Sequence, residues 1–185
     1  MIFLAGISLI HNNREHEVSN YSMKNIILIG MPGAGKSTVG VILAKTLGMN
    51  FIDTDIVLQK HTGRLLQEII NSDGIDAFLK IEESTLLSLN FSNSVIATGG
   101  SVVLSEKSME YLKKTGRVIY FYIIFEEMVR RLNNIMTRGV VLGEGQRLLD
   151  LYNQRIPLYE KYADITIDCS DMDVEKIIEN VLHEI

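Results

Sequence analysis

The chain has 185 residues, 46% of them hydrophobic and 22% charged, with a formal net charge of −5. These values fit one globular domain with one full core and exclude a disordered tail, a collagen-like chain and a repeat array. The acidic balance argues against a nucleic-acid partner, and a lone cysteine excludes an intramolecular disulfide, which suits a reducing compartment.

In chain order, Ile2 to Ile10 is mostly apolar but too short to cross a bilayer, and no Lys or Arg precedes it as in a signal peptide. Residues 1–22 read as a dispensable extension ahead of a domain over 23–185. A short membrane-surface or partner-binding segment is the alternative. Asn25 to Ile29 is a buried strand bounded by Gly30, and Ser37 to Leu47 is a helix stopped by Gly48. A second strand, Phe51 to Asp53, precedes helical patterns at Leu65 to Ile70 and Ala77 to Leu89, separated by Ser72-Asp73-Gly74. Ser94 to Thr98 is a third strand, Ser105 to Lys114 a helix, Arg117 to Ile124 a fourth strand and Glu126 to Leu132 a short helix. The stretch 133–145 is poor in helix signals. Gln146 to Tyr162 is helical, with Pro157 expected to kink or end it. Ile165 to Ile167 is a fifth strand and Val174 to His183 a closing helix. Cys169, beside the fifth strand, reads as a small packing residue. Such alternation predicts an α/β fold, a parallel sheet covered on both faces, with ligands beyond the strand C-termini.

The motifs fall at those ends. Gly30-Met31-Pro32-Gly33-Ala34-Gly35-Lys36-Ser37 is a complete G-x-x-x-x-G-K-[ST] loop between a strand and a helix. Its glycines let Gly33, Ala34 and Gly35 turn backbone N–H groups toward phosphate oxygens, and the helix N-terminus adds positive potential. Lys36 supplies a mobile charge for the β- and γ-phosphates, and the Ser37 hydroxyl can ligate Mg²⁺. Thr38 suits either a phosphate contact or helix packing.

Asp53-Thr54-Asp55 ends the second strand, where alternation would turn both carboxylates to one face. Asp53 is a candidate Mg²⁺ ligand. Asp55 is a candidate base for an acceptor hydroxyl, with capping of a following helix as its plainer role. Gly99 and Gly100 end the third strand and either expose backbone N–H groups to a ligand or form an ordinary turn. Arg138, in the irregular stretch, could be carried by a mobile lid onto the phosphates or be a solvated loop arginine. Arg155, set among apolar neighbours, could pair with an acidic substrate group or a surface Glu.

Together these residues resemble the shikimate kinase family, from about Lys24 to the C-terminus. The family carries the same phosphate loop, an Asp-x-Asp matched by Asp53 and Asp55, and a Gly-Gly-Gly run matched by Gly99-Gly100-Ser101. It also carries a lid arginine, matched by Arg138, and an Arg-x-Pro-Leu-Tyr segment followed by Ala-Asp, matched by Arg155 to Tyr159 with Ala163-Asp164. The resemblance implies a three-layer P-loop kinase fold, a five-stranded parallel sheet of order 2-3-1-4-5 with helices on both faces, and a lid around 133–145. It implies ATP and Mg²⁺ and transfer to a shikimate hydroxyl, giving shikimate 3-phosphate in aromatic amino-acid biosynthesis. By position, Arg131 matches the arginine that stacks on adenine, and Asp168 to Ser170 a second adenine-side segment. Lys36, Asp55 and Arg138 then carry catalysis, and Asp55, Gly99, Gly100 and Arg155 hold the acceptor. A small-molecule acceptor, no nucleic acid, no membrane, a monomer and a cytoplasmic location are the accompanying expectations.

Three departures bear on the acceptor. The family's Gly-Glu-x-x-Phe-Arg-x-x-Glu reads Gly74-Ile75-Asp76-Ala77-Phe78-Leu79-Lys80-Ile81-Glu82, so Leu79 stands where an arginine is usual while Glu82 remains. The third glycine is Ser101, and the lid's Arg-Pro-Leu reads Arg138-Gly139-Val140. A kinase of another polar metabolite on this scaffold and a nucleotide-binding regulatory module are the rival readings.

Overall fold

The computed structural model describes residues 25–133 and 147–185. Five strands form one wholly parallel sheet: β1 (Asn25–Gly30), β2 (Asn50–Asp53), β3 (Ser94–Ala97), β4 (Gly116–Tyr122) and β5 (Ile165–Asp168), in the order β2-β3-β1-β4-β5. That is the expected order. β1 and β3 are buried along their whole length, as their unbroken apolar sequences require of strands covered on both faces. β2 and β5 form the more exposed edges.

The helices are α1 (Lys36–Leu47), α2 (Thr54–Thr62), α3 (Leu66–Asp73), α4 (Ile75–Ser88), α5 (Glu106–Thr115), α6 (Phe125–Asn133), α7 (Leu148–Tyr162) and α8 (Val174–Glu184). The main core lies between sheet and helices, where Leu28, Ile96, Phe121, Met109, Leu43 and Val181 meet. A satellite cluster of Leu58, Ile69 and Phe78 joins α2, α3 and α4 beside the β2 edge. Cys169 is buried in the main core, and burial pushes its thiol up to about 12, in keeping with a packing role.

The structure departs from the expected elements in several places. The helix α2 has no counterpart in the apolar pattern, because only Thr54 and Leu58 of its nine residues are buried. Its ends define it instead: Asp53 caps its start, and Gly63 closes it in the left-handed region at φ 68°. The fourth strand stops at Tyr122 rather than Ile124, since the Ile124 carbonyl already accepts the first helical bond of α6 from Met128. Pro157 does not end α7, which continues to Tyr162. Of the expected lid, only Asn133, the last residue of α6, is described; Arg138 and the extension 1–22 lie outside the described residues.

The start of β1 is tied by one side chain. Asn25 Nδ2 donates to the carbonyls of Phe91 (3.1 Å) and Thr115 (3.0 Å), and its Oδ1 accepts from the Ser94 amide at 3.0 Å. Asn25→Ala would strand three backbone groups beside β1, where each unsatisfied buried group costs on the order of 1–3 kcal/mol. We expect a loss of about 2–4 kcal/mol in urea unfolding; a change within error would show that water replaces these bonds.

Candidate active site

The site is assembled where the first three strands end together. Leu28 lies level with Ala97, and Ala97 with Asp53, so the loops after β1, β2 and β3 leave the sheet side by side. The phosphate loop follows β1. Gly33 and Gly35 take φ of 83° and 92°, a region costly for residues bearing a Cβ, and Gly35 opens α1 with no side-chain cap. First-turn amides of an uncapped helix are available to an anion. Lys36 is buried, and its Nζ donates to the carbonyls of Gly30 (2.8 Å) and Met31 (2.9 Å), lying across the inside of the loop. Ser37 is half-buried at the loop mouth. Thr38 is exposed, which removes the packing reading.

The two aspartates do not lie on one strand face. Asp53 is the last residue of β2 and caps α2, its Oδ1 accepting from the amides of Asp55 (3.0 Å) and Ile56 (3.4 Å). The capping role considered for Asp55 thus belongs to Asp53. Asp55 stands in the first helical turn, where strand alternation no longer governs its direction. Its Oδ1 nevertheless lies only 2.7 Å from the point a Cβ on Gly99 would occupy, and Glu82 Oε1 lies 2.6 Å from that point. Gly99 thus lies in close approach to both: a side chain there would displace two carboxyl groups. A Cβ on Gly100 would come within 2.9 Å of Pro32 Cδ. Thr54, between the two aspartates, is buried and accepts from the Gly99 amide at 3.2 Å, joining the loops after β2 and β3.

Asp55, Gly99, Gly100 and Arg155 line one small cavity with Pro32, Leu66, Phe78 and Ser101. Sequence reasoning grouped the first four. It assigned no role to Tyr159, which places Arg155. Arg155 and Tyr159 are one turn apart on α7, hence on one face. The Tyr159 hydroxyl donates to the Gly100 carbonyl at 2.6 Å, while its ring stacks on Tyr120 of β4 with centroids 5.0 Å apart. Arg155 is buried, and its charge favours the ionised form of Glu82. Glu82 is buried on α4 and accepts from the Ser101 hydroxyl at 2.8 Å. Burial raises its carboxyl, Ser101 draws it down, Asp55 raises it and Arg155 lowers it, leaving it at about 7. Leu79 is half-buried in the satellite cluster and is not among the residues lining the cavity.

On the other side of the loop, Arg131 of α6 reaches across to β5. Its Nη2 donates to the Cys169 carbonyl at 2.8 Å and its Nη1 to Gly33 at 3.4 Å, so it joins the phosphate loop to the 168–170 segment. Its Nε donates to Glu127, a buried carboxylate that also takes two bonds of 2.6 Å from Arg130. The Glu-x-x-Arg-Arg spacing, i to i+3 and i+4 on a helix, is the signal that could have revealed this cluster.

The family model for shikimate kinase matches residues 32–185. A shikimate kinase of Caldanaerobacter subterraneus is 38% identical over 163 residues, 86% of this chain and 95% of the relative. One of Thermodesulfovibrio yellowstonii is 39% identical over 165 residues, 88% of this chain and 95% of the relative. The solved structure of Acinetobacter baumannii shikimate kinase in complex with shikimate superposes with a TM-score of 0.81 at 32% identity, over 88% of this chain and 93% of that one. Thymidylate kinase of Candida albicans, at 12% identity and a TM-score of 0.58, shares the fold alone.

The arginine bonds hold Glu127 down at about 2, Arg130 contributing most, against the opposing effect of burial. A carboxyl depressed on folding contributes stability above its unfolded value, near 4.5, that is lost as pH falls toward 2. Glu127→Gln should therefore flatten the acid limb of a urea-midpoint series between these values, whereas an unchanged limb would mean that Glu127 stays paired when unfolded.

Proposed function

The chain belongs to the shikimate kinase family, and we propose that it transfers the γ-phosphoryl group of ATP to a hydroxyl of shikimate, giving shikimate 3-phosphate. The observation that carries the reading is the convergence of a phosphate loop with one cavity lined by an aspartate, two constrained glycines and a buried arginine. Donor and acceptor elements adjoin, since Pro32 of the loop and Gly100 line the same cavity.

The residues present fit a magnesium nucleotide. The loop supplies an uncapped helix start, Lys36 is held at its inner wall, and Ser37 and Asp53 are the hydroxyl and carboxylate for the cation. ATP brings the phosphoryl group, and Mg²⁺ neutralises charge on its oxygens. Lys36 can leave the Gly30 and Met31 carbonyls for phosphate oxygens that compete for the same ammonium. The capping bonds engage only Oδ1 of Asp53. Thr38, at the exposed rim, and Arg131, over the loop, flank the nucleotide, with Arg131 on the base side. Asp55 orients the acceptor hydroxyl and takes its proton. Gly99 and Gly100 bring backbone to the acceptor, and Arg155 binds its carboxylate with a charge-assisted bond. Arg138 completes the set as the arginine that closes over the transferring group. We read residues 1–22 as outside this machinery, and the enzyme as a cytoplasmic monomer.

Leu79 gives a specific reason to weigh a second acceptor. Where the family carries an arginine this chain has an apolar side chain that packs in the satellite cluster and does not line the cavity, so the acceptor site lacks that charge and its hold on shikimate is weaker.

Lys36→Ala should cut turnover by at least about 100-fold while the melting temperature stays close to wild type; near-normal turnover in a folded variant would contradict the assignment. Leu79→Arg should lower KM for shikimate by about 10-fold or more with little change in kcat, because a charge-assisted hydrogen bond is worth roughly 1.5–3 kcal/mol. Tight shikimate binding by the wild type, or loss of shikimate use in the variant, would place the carboxylate elsewhere.

A further inference from the structure

Arg131 is anchored through each of its three side-chain nitrogens, and each anchor belongs to a different part of the chain. Nη1 donates to the Gly33 carbonyl of the phosphate loop at 3.4 Å and Nη2 to the Cys169 carbonyl after β5 at 2.8 Å, while Nε donates to Glu127 on its own helix. The N–H bonds of a guanidinium lie in its plane, so these contacts fix that plane and use its edge rather than its faces. The segment after β5 is itself tied back to the chain entering α6. The Cys169 amide donates to the Tyr122 carbonyl at 2.8 Å, and the Ile124 amide donates to the Ser170 hydroxyl at 3.1 Å. Two of the anchors on Arg131 are neutral carbonyls, and one of these bonds is long. The third is a buried carboxylate, gripped by Arg130 through a fork of two 2.6 Å bonds from Nε and Nη2. Its Oε1 is shared between the two arginines.

We propose that Glu127 is a positioning residue for the nucleotide base: its carboxylate, oriented by Arg130, holds the Arg131 guanidinium in the plane on which the base of the donor stacks. The inference rests on the nucleotide assignment above and names what sets the geometry of its base side. An unrestrained arginine would lose rotamer freedom when a base settled on it, and that ordering would weaken binding. Here folding orders the side chain in advance. Without Glu127 only the two neutral carbonyl bonds would hold the plane. Glu127 acts through Arg131, so its loss should loosen the hold on the base, while Lys36 and the loop amides keep their hold on the phosphates.

The test compares two ligands by calorimetry, each with Mg²⁺ and without acceptor: ADP, which carries a base, and inorganic tripolyphosphate, which does not. In Glu127→Ala the Kd for ADP should rise by roughly 5- to 30-fold, within the range of one base-stacking contact, while the Kd for tripolyphosphate stays near wild type. Glu127→Gln keeps the shape and an oxygen for Arg131 Nε without the charge. It should shift ADP alone in the same direction by less, and it decides the matter if Glu127→Ala does not fold. Arg131→Lys keeps a positive charge but no plane, and adding Glu127→Gln to it should weaken ADP no further. Equal losses for both ligands, or a fully additive loss in the double variant, would overturn the proposal. A wild type that binds ADP, matched by both Glu127 variants, overturns this inference alone. A wild type that binds neither ligand overturns the nucleotide assignment, and this inference with it.

Discussion

The register of three strands is the constraint from which the site follows. Because the sheet is parallel, β1, β2 and β3 all deliver their chains to the same edge, and pairing sets Leu28, Ala97 and Asp53 level there. Each of the next two residues or so in each strand then becomes a site element: Gly30 of the phosphate loop, Asp55, and Gly99. A slip of one residue in any of these strands would turn every one of its side chains to the opposite face of the sheet. The buried apolar faces of β1 and β3 thus fix the spacing between phosphate loop and acceptor residues far more firmly than any bond within the site.

Onto that frame the chain places charges that ordinarily avoid burial. Lys36, Glu82, Glu127 and Arg155 are all buried. The first three are held by polar neighbours: backbone carbonyls for Lys36, Ser101 for Glu82, two arginines for Glu127. Removing water from such groups is costly, and the cost is offset only where partners are fixed in advance. The same exclusion of water strengthens their action on a bound anion. Tyr159 has a corresponding part on the acceptor side, since its hydroxyl locks the Gly100 loop to the helix that carries Arg155. Packing of Tyr159 on Tyr120 anchors that helix to β4.

The phosphate loop, the five strands and their order were legible because local pattern and family motif agree there. Continuous apolar runs mark buried parallel strands, and the Gly-Lys-Ser sequence has few alternatives between a strand and a helix. The helix α2 was not legible from periodicity, because it buries only two residues and is defined by its caps. The geometry of Asp53 and Asp55 was misjudged for the same reason: the strand ends at Asp53, so the pair straddles a helix start. Glu82 and Ser101 appeared in the sequence only as a retained and an altered family position. That they meet at 2.8 Å is a tertiary fact, since they stand nineteen positions apart in the sequence. Gly99 was read as backbone exposure, whereas what a side chain there would disturb is the neighbouring carboxyl oxygens of Asp55 and Glu82.

The central claim is phosphoryl transfer to a hydroxy acid, not nucleotide binding alone. It is tested most directly by following phosphorus in one reaction, with the purified chain, MgATP and shikimate observed by ³¹P NMR. The account predicts that the γ-phosphate signal is replaced by a single phosphomonoester signal, matched mole for mole by ADP and absent without shikimate. ATP that binds and remains intact, or ADP that forms with inorganic phosphate equally with and without shikimate, would contradict it.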